Sequence, residues 1–357
     1  MIIYHLIGLK TGVSKGGNEK LPKKKKSPTS WDVAKLAGVS RSTVSFVLNN
    51  TPDIKISEET RKRVLEAVKA LDYKPNAIAR SLAKQKTEVI AFFVLDIVNP
   101  VFPNMARGIE DVARHNGYTL FLCNTDGKSL RELRYMNTML ERRVDGIIVG
   151  ALTNEEISRI AKERNVPLVI LEHPRLPEHD VVYADNIAGS YESVTHLIEL
   201  GHKRIAHITI NPESIIVQER IEGYKKALAN AGIPFDEKLL KIFYGKVEEE
   251  VAIDELFSLS DPPTAIFAFS DFMAIQIMKI LIKRGIKIPE DVSIVGFDDT
   301  LASLTIPALT TVAQPFYEMG AKAAEILIER LKNPDLPIQN IKLPTKLVIR
   351  ESTTKRK

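Results

Sequence analysis

The first regular pattern of apolar positions along the chain is a pair of short helical stretches within residues 31–49. Ser30 is placed to cap the first stretch, and Gly38 to end it, because glycine adopts the left-handed conformation of a helix end without a Cβ clash. Ser40 is placed to cap the second stretch, so a sharp turn joins the two. The apolar residues that recur at helical spacing, and that we expect to be buried, are Val33, Leu36, Ala37, Val44, Val47 and Leu48. This pattern is typical of a helix-turn-helix.

A third helical stretch begins after Ser57, with Glu58 and Glu59 in its first turn, where the helix dipole favours negative charge. Its expected inner face consists of Val64, Leu65, Val68 and Leu71. Three short helices predict a compact all-α head over residues 29–74. A two-helix corner with a glycine turn is also ordinary core architecture, so this pattern alone leaves DNA binding open.

Positive charge surrounds the predicted head. Lysines occupy positions 23–26 ahead of it, and a basic group at positions 61–63 lies on the third helix. Contacts with phosphates require such cations, although a solvated tail would explain the lysines equally well. The second helix leaves a face outward that would meet base edges and phosphates, comprising Arg41, Ser42, Ser45, Phe46 and Asn49.

A hinge is predicted at residues 75–87, where Pro75 breaks the third helix and can open another. The helical part, residues 76–83, has about two turns and is too short to be stable alone, so it should need a partner to fold. Ile78 and Leu82 share one face and Arg80 lies off it, so two such helices could pair and present apolar wedges and cations to a minor groove. A plain linker is the alternative.

From Val89 onward, short apolar runs alternate with amphipathic helical stretches, which is the pattern of a parallel sheet built from βαβ units. The predicted strands are VIAFFVL, TLFLC, GIIVG and LVILE in a first lobe, and RIAHITI, KIFYG, AIFAF and VSIVGF in a second. The fold class is therefore an all-α head plus α/β, with two tandem doubly wound lobes and a cleft between them, as in hinge-closing solute binders. We expect the first lobe at residues 88–186 plus 314–335, the second at 187–313 plus 336–352, and a tail at 353–357.

Composition sets bounds on this architecture. The 357 residues, 44% of them hydrophobic, can bury the cores of two or three domains. The formal charge of +5 is modest, so any nucleic-acid contact should be local, as the head would provide. The single cysteine, Cys123, cannot form an internal disulfide and suits a reducing compartment. Residues 1–28 show no periodicity, so we expect a disordered basic extension. They also lack a signal-peptide pattern, so we expect a cytoplasmic, nucleoid-associated protein.

The order of these parts resembles the lactose-repressor (LacI/GalR) family of bacterial transcription regulators. The resemblance covers residues 29–352. Its most specific segments include DVAKLAGVS, YKPNAIARSLA, NPVF, RVDGIIV, VYADNIAG, LGHKRIAHI, PTAIFAFSDFMA, IPEDVSIVGFDD and PALTTVAQPFYEMG. It implies periplasmic-binding-protein-like lobes, a homodimer whose heads bind the two half-sites of a pseudopalindromic operator in double-stranded DNA, and a small-molecule effector.

The resemblance also implies DNA-binding residues. Base-reading and helix-anchoring roles in the second helix fall to Arg41, Ser42, Thr43, Ser45 and Asn49. The chain departs from the family at Phe46, where an arginine or another polar residue is usual, and a phenylalanine would contact a thymine methyl or pack inward. Leu82 matches the hinge residue that wedges into the central base step, with Asn76 and Arg80 on the same helix.

An effector site is expected in the cleft, because ligands bind at the carboxyl ends of parallel strands. Asp271 and Arg220 match the principal ligand-binding pair of the family, and a carboxylate with a guanidinium suits the vicinal hydroxyls of a sugar. Phe102 would cover the sugar ring. Lesser candidates are Glu172, Asp185, Gln314 and Phe316. Strand-end aspartates such as Asp271 and Asp185 also cap helices, and Phe316 could be core.

Two other functions and one other class of ligand remain to be compared. An enzyme on a nucleotide-binding sheet has little support, because the chain lacks a glycine-rich dinucleotide fingerprint, a nucleophile elbow and metal-ligand spacing among its histidines. We therefore expect no catalytic residues, no metal and no cofactor, and we interpret Asp298 and Asp299 as a capping pair. A free-standing sugar-binding protein would share the lobes but not the head. A purine or nucleoside corepressor is the alternative to a sugar, because an aromatic stack and an arginine suit it too.

Overall fold

A computed structural model describes residues 28–49, 54–74, 86–151, 154–173, 176, 178–243 and 248–356. The chain divides into two compact units, Met1–Ala83 and Lys84–Lys357. The predicted extension and most of the hinge, including Asn76, Arg80 and Leu82, lie outside the described residues. None of the helices in the described ranges is long and apolar enough to cross a membrane.

The first unit contains the three predicted helices, α1 (Ser30–Ala37), α2 (Arg41–Leu48) and α3 (Glu58–Ala70). Gly38 ends α1 with a φ of 64°, in the left-handed region that lets the chain turn sharply. The hydroxyls of Ser40 and Ser57 accept hydrogen bonds from the backbone N–H of Thr43 (3.1 Å) and Thr60 (3.2 Å), so both cap helices as expected. These caps and the glycine turn fix the helix-turn-helix.

The head differs from the prediction at three positions, one helix cap and two core residues. Thr29, not Ser30, is the N-cap of α1. Leu36 and Leu65, expected to be buried, are 56% and 50% exposed. Alanines take the inward positions instead, because short helices that pack around a small core approach most closely through small side chains. The buried residues are Val33, Ala34, Ala37, Val44, Val47, Val64 and Ala67.

The second unit alternates strands and helices throughout. The strands are β1 (Val89–Val94), β2 (Thr119–Asn124), β3 (Gly146–Val149), β4 (Leu168–Leu171), β5 (Asp180–Ala184), β6 (Ile205–Thr209), β7 (Leu240–Ile242), β8 (Ala265–Ala268), β9 (Ser293–Asp298), β10 (Thr310–Ala313), β11 (Asn340–Leu343) and β12 (Lys346–Val348). The helices are α4 (Val101–His115), α5 (Ser129–Glu141), α6 (Glu156–Glu163), α7 (Asn186–Glu199), α8 (Ile215–Asn230), α9 (Glu248–Phe257), α10 (Asp271–Lys283) and α11 (Phe316–Lys332).

The strands form two six-stranded sheets, in the orders β11-β5-β4-β3-β1-β2 and β12-β10-β9-β8-β6-β7. All the pairings are parallel except that of β12 with β10. Helices cover both faces of each sheet, so each lobe has an apolar core on either side of it. The predicted class of two doubly wound parallel-sheet lobes is confirmed.

Four strands were not predicted from the sequence, and one crossing between the lobes differs from the prediction. Residues 336–352 were assigned to the second lobe, but β11 pairs with β5 of the first lobe and only β12 joins the second sheet. Half-exposed strands such as β11 lack the continuous apolar run that revealed the central strands. The run TLFLC was expected to be buried, whereas Phe121 and Leu122 are 39% and 41% exposed, because β2 is at the edge of its sheet.

Two glycines set the packing of α4 against α11, the helices that cover one face of the first sheet. A Cβ on Gly108 would lie 2.0 Å from the backbone oxygen of Tyr317, and one on Gly320 would lie 2.1 Å from that of Met105. The backbones of the two helices therefore meet directly. Because α4 starts at the mouth of the interlobe cleft and α11 follows the second crossing between lobes, this contact positions side chains from both for the site described next.

Candidate functional site

A cavity of about 490 Å³ lies between the lobes, at the carboxyl ends of strands from both sheets. The residues that immediately follow the strands contribute Leu95 after β1, Gly150 after β3, Ile210 after β6 and Phe269 after β8. The carboxyl ends of parallel strands are where ligands bind in sheets of this type, and the volume suits a small organic molecule. The predicted position of the effector site therefore coincides with an actual cavity.

One wall of the cavity is apolar. Phe102 from α4 and Phe316 from α11 line it, and both are almost fully buried, at 6% and 5% exposure. Met105, Val101 and Ala151 extend the same wall. The packing of α4 against α11 places the two phenylalanines on one side of the space, where they offer an apolar surface to the flat face of a ligand.

Arg220 on α8 supplies the only guanidinium among the residues that the structure shows around the cavity. Its Cζ lies 3.7 Å from the ring centroid of Phe297 and 4.4 Å from that of Phe269, so the cation is held against aromatic faces. Its Nε donates to Oδ1 of Asn186 at 3.1 Å, and its Nη1 donates to the carbonyl oxygen of Phe269. Its Nη2, 3.8 Å from Oδ1 of Asp298, is the nitrogen best placed to meet a ligand.

Asp298 and Gln314 form the acidic and amide part of the polar wall. The Nε2 of Gln314 donates to Oδ1 of Asp298 at 2.7 Å, which fixes the orientation of the amide. The Oε1 of Gln314 is buried and has no partner among the described residues, and the same holds for Nδ1 of the neighbouring His173. Buried polar atoms are usually paired, so these two are candidates for hydrogen bonds to a ligand.

Burial dominates the electrostatics of this wall. It raises the pKa of Glu172 to about 7, although the Arg220 cation and the hydrogen bond from the Ala184 N–H oppose the shift. It also raises the pKa of Asp298 to about 8, again against the effect of Arg220. Burial lowers the pKa of Arg220 itself. Two buried acids and one buried guanidinium thus share the site, where a ligand that donates hydrogen bonds would stabilise the carboxylates.

The raised pKa of Glu172 predicts a dependence of stability on pH. From its ordinary value of 4.5 up to about 7, the folded protein holds a proton that the unfolded chain has released, so this contribution to stability is lost as the pH rises through that window. The full loss is about 3 kcal/mol. Urea unfolding of the ligand-free protein at pH 5 and at pH 7.5 should therefore show a smaller difference for Glu172→Gln than for the wild type. The exposed Glu178→Gln is the control, and equal differences in all three proteins would contradict the prediction.

Two expected ligand-binding residues do not line the cavity. Asp271 begins α10 and is fully buried, with its carboxylate accepting hydrogen bonds from the N–H of Thr300 (2.9 Å) and the hydroxyl of Thr311. It turns back towards the sheet and holds the loop after β9, while Ser270 caps the helix. Asp185 caps α7 through the N–H of Ala188 (3.1 Å) and pairs with Lys342 on the outside of the cleft.

Asp298, which the structure places on the wall of the cavity, was interpreted from the sequence as a capping residue. The missed signal is its position as the last residue of a fully buried strand, level with the end of the neighbouring strand β10, which Gln314 follows. Its φ of 123° is unusual for an aspartate and turns the side chain at the strand end. The other expected residues, Phe102, Glu172, Arg220, Gln314 and Phe316, all line the cavity.

In the head, the residues expected to contact DNA lie on one side of α2. Arg41, Ser42, Ser45 and Asn49 are exposed, and Thr43 is half-buried. Their polar groups are partly ordered: the hydroxyl of Ser42 contacts that of Ser40 at 2.7 Å, and the amide of Asn49 donates to the hydroxyl of Ser45 at 3.1 Å. Phe46 is half-buried, so its side chain neither packs fully inward nor stands fully exposed to meet a thymine methyl.

Two parts of the chain match known families. Residues 31–76 match bacterial regulatory proteins of the lacI family, and residues 194–353 match a periplasmic binding protein-like domain. The HTH-type transcriptional repressor PurR of Aliivibrio fischeri (strain MJ11) is 36% identical over 332 residues, covering 91% of this chain and 98% of that protein. The HTH-type transcriptional regulator DegA of Bacillus subtilis (strain 168) is 39% identical over 336 residues, with the same coverage of 91% and 98%.

Solved structures match most of the chain. The lac repressor dimer bound to operator and the anti-inducer ONPF gives a TM-score of 0.81 at 26% identity, covering 92% of this chain and 100% of that one. The complex of the regulator CelR with cellobiose gives 0.68 at 31% identity, covering 91% and 99%. A LacI family regulator from Enterococcus faecium with bound ribose gives 0.68 at 31% identity, covering 75% and 100%.

Proposed function

The chain belongs to the lacI family of DNA-binding transcriptional repressors, and from that premise we propose that a sugar bound in the cavity between its lobes controls its affinity for an operator. The observation that carries the choice of a sugar is the contrast between the two walls of the cavity. Phe102 and Phe316 offer apolar surface, while Arg220, Asp298 and Gln314 offer a donor and acceptors. A sugar ring has apolar C–H faces and a rim of hydroxyls, so it matches both walls at once.

The state of Arg220 favours a sugar over a purine or nucleoside. A planar base would be read best by a guanidinium whose fork is free for two parallel hydrogen bonds. Here Nε and Nη1 already donate to Asn186 and to the carbonyl of Phe269. The aromatic rings that face the cation also belong to the protein itself. Only Nη2 of Arg220 remains for a ligand, beside the carboxylate of Asp298. Such a pair suits single hydroxyl groups. The cellobiose and ribose bound to the two structural relatives agree with this choice.

A thermal-shift screen of the purified protein against pentoses, hexoses, disaccharides and purine bases tests the ligand class. Because a ligand that binds only the folded state raises its stability, the correct class should raise the melting temperature in a concentration-dependent way. We expect a shift with at least one sugar and none with the purines. A shift with a purine alone would replace the sugar in the proposal while leaving the repressor function intact.

Control of DNA binding is proposed to follow from a shift in population between arrangements of the two lobes. A sugar that contacts both walls binds one arrangement more tightly, and only one arrangement of a homodimer would keep the two hinges close enough to fold on a pseudopalindromic operator. The coupling is reciprocal, so operator DNA changes the affinity for the sugar by the same factor. We place this action on chromosomal DNA in the cytoplasm.

The proposed role of Arg41 gives a direct test of the head. Arg41→Ala should weaken binding to an operator selected from a random DNA pool by about 1–3 kcal/mol, because one bidentate contact with a base is lost. Fluorescence anisotropy of the labelled operator measures the change. Arg159→Ala, which removes an exposed arginine from α6 of the first lobe, is the matched control and should leave the affinity unaltered. Equal affinities for wild type and Arg41→Ala would remove Arg41 from the interface.

A further inference from the structure

We propose that Trp31 is a positioning residue for Arg41, holding its guanidinium against the indole face in the orientation that a base contact requires. The inference rests on the proposed role of Arg41 in operator binding. It goes beyond that role because it gives a function to a residue of α1 that lies outside the recognition helix.

The contact itself is a cation–π pair on the surface of the head. The Cζ of Arg41 lies 5.7 Å from the centroid of the Trp31 ring. Such pairs attract within about 6 Å, and tryptophan is the strongest aromatic partner. The indole is 67% exposed, so it contributes little to the core of the head. Within the described unit, the contact with Arg41 is the interaction that the structure shows for this side chain.

The geometry of a stacked arginine explains why this matters for recognition. Stacking uses the flat face of the guanidinium and leaves its N–H groups free at the edge. Arg41 makes no hydrogen bond or ion pair with any other residue that the structure describes, so its donors remain available. A bidentate contact with guanine uses two of these edge donors. The cation–π contact therefore restricts the motion of the side chain without consuming the groups that would read the base.

The backbone at Trp31 is fixed by hydrogen bonds at the start of α1. It lies between Thr29 and Asp32, which close the start of α1: the backbone N–H of Thr29 donates to Oδ2 of Asp32 at 2.8 Å, and its hydroxyl donates to the same oxygen at 2.7 Å. These hydrogen bonds from Thr29 lower the pKa of Asp32, so the carboxylate stays ionised. The next residue, Val33, is fully buried. A ring attached to a fixed backbone reduces the ordering that Arg41 must undergo on binding DNA.

A double-mutant cycle on the full-length protein distinguishes positioning from a direct DNA contact. Trp31→Leu should weaken binding to the selected operator about two- to fivefold, as expected for an exposed cation–π pair, and Trp31→Phe should retain most of the affinity. In an Arg41→Ala background, Trp31→Leu should have no further effect. Leu36→Ala, another exposed apolar side chain on α1, is the control and should bind like the wild type. An equal loss in both backgrounds, or no loss in either, would overturn the proposal.

A second measurement needs no operator, because Trp31 is the single tryptophan in the chain. Acrylamide quenching of tryptophan fluorescence in the DNA-free protein reports on the exposure of this one ring. Arg41→Ala should increase the quenching constant by uncovering a face of the indole, and an unchanged constant would overturn the stack. If the wild type selects no DNA sequence at all, the proposed function fails, while the quenching result still decides whether Trp31 holds Arg41.

Discussion

Replacing Arg220 with methionine is expected to weaken sugar binding strongly while leaving operator binding in the absence of sugar unaffected. Methionine keeps much of the apolar stem between Phe269 and Phe297 but removes the only guanidinium on the described wall of the cavity. A lost charge-assisted hydrogen bond in a buried site costs about 2–5 kcal/mol, so the affinity for the sugar should fall at least about 30-fold. Isothermal titration with the sugar found by thermal shift measures the loss.

The same substitution has an electrostatic consequence that serves as an internal check. Arg220 is the principal cation that opposes the rise in the pKa of Glu172 and of Asp298. Without it, both carboxyl groups should stay protonated to higher pH than in the wild type. Arg204→Met is the matched control, because it removes a half-buried arginine of the same lobe that pairs with Asp236, away from the cavity. Unaltered sugar affinity in Arg220→Met would move the ligand elsewhere.

The second large effect is expected from Gly108→Val in the first lobe. Its Cβ would lie 2.0 Å from the backbone oxygen of Tyr317 and 2.8 Å from the backbone nitrogen of Ala321, and neither atom can move without shifting α11. Overpacking of this kind costs about 1–3 kcal/mol when side chains can adjust, so a clash with backbone should cost about 3 kcal/mol or more. Urea unfolding measures the change in the free energy of unfolding.

Arg107→Ala, at the neighbouring exposed position of α4, should change the stability by less than about 0.5 kcal/mol. Because Phe102 and Phe316 come from the two helices that Gly108 brings together, Gly108→Val should also weaken sugar binding. A variant as stable as the wild type would show that α4 and α11 are not packed backbone to backbone.

The central strands and the helix-turn-helix could be predicted because their patterns are local. Runs such as VIAFFV and AIFA are buried on both faces, and Gly38 with its flanking caps forces a turn whatever surrounds it. The edge strands β11 and β12 were missed because they are half-exposed and lack a continuous apolar run. β11 shows this most clearly: its NIKL alternates weakly, and only pairing with β5 assigns it to the first lobe.

The cavity, too, could be predicted only in part from the sequence. Its position and five of its expected side chains follow from the rule about strand ends and from the family pattern, but the direction in which an aspartate points does not. Asp271 and Asp298 both stand at strand ends, but only Asp298 lines the cavity. Thr300 and Thr311 draw the first carboxylate inward, whereas Gln314 holds the second beside Arg220. These partners come from a loop and a strand far along the chain.

The most direct test of control by a sugar is the operator affinity of the intact protein with and without that sugar. DNA selected from a random pool is titrated by fluorescence anisotropy with wild type and Arg220→Met, each at zero and at saturating sugar. The sugar should change the Kd of the wild type at least about fivefold, in one direction, and should leave that of Arg220→Met unchanged. Equal affinities with and without sugar in the wild type would contradict the account.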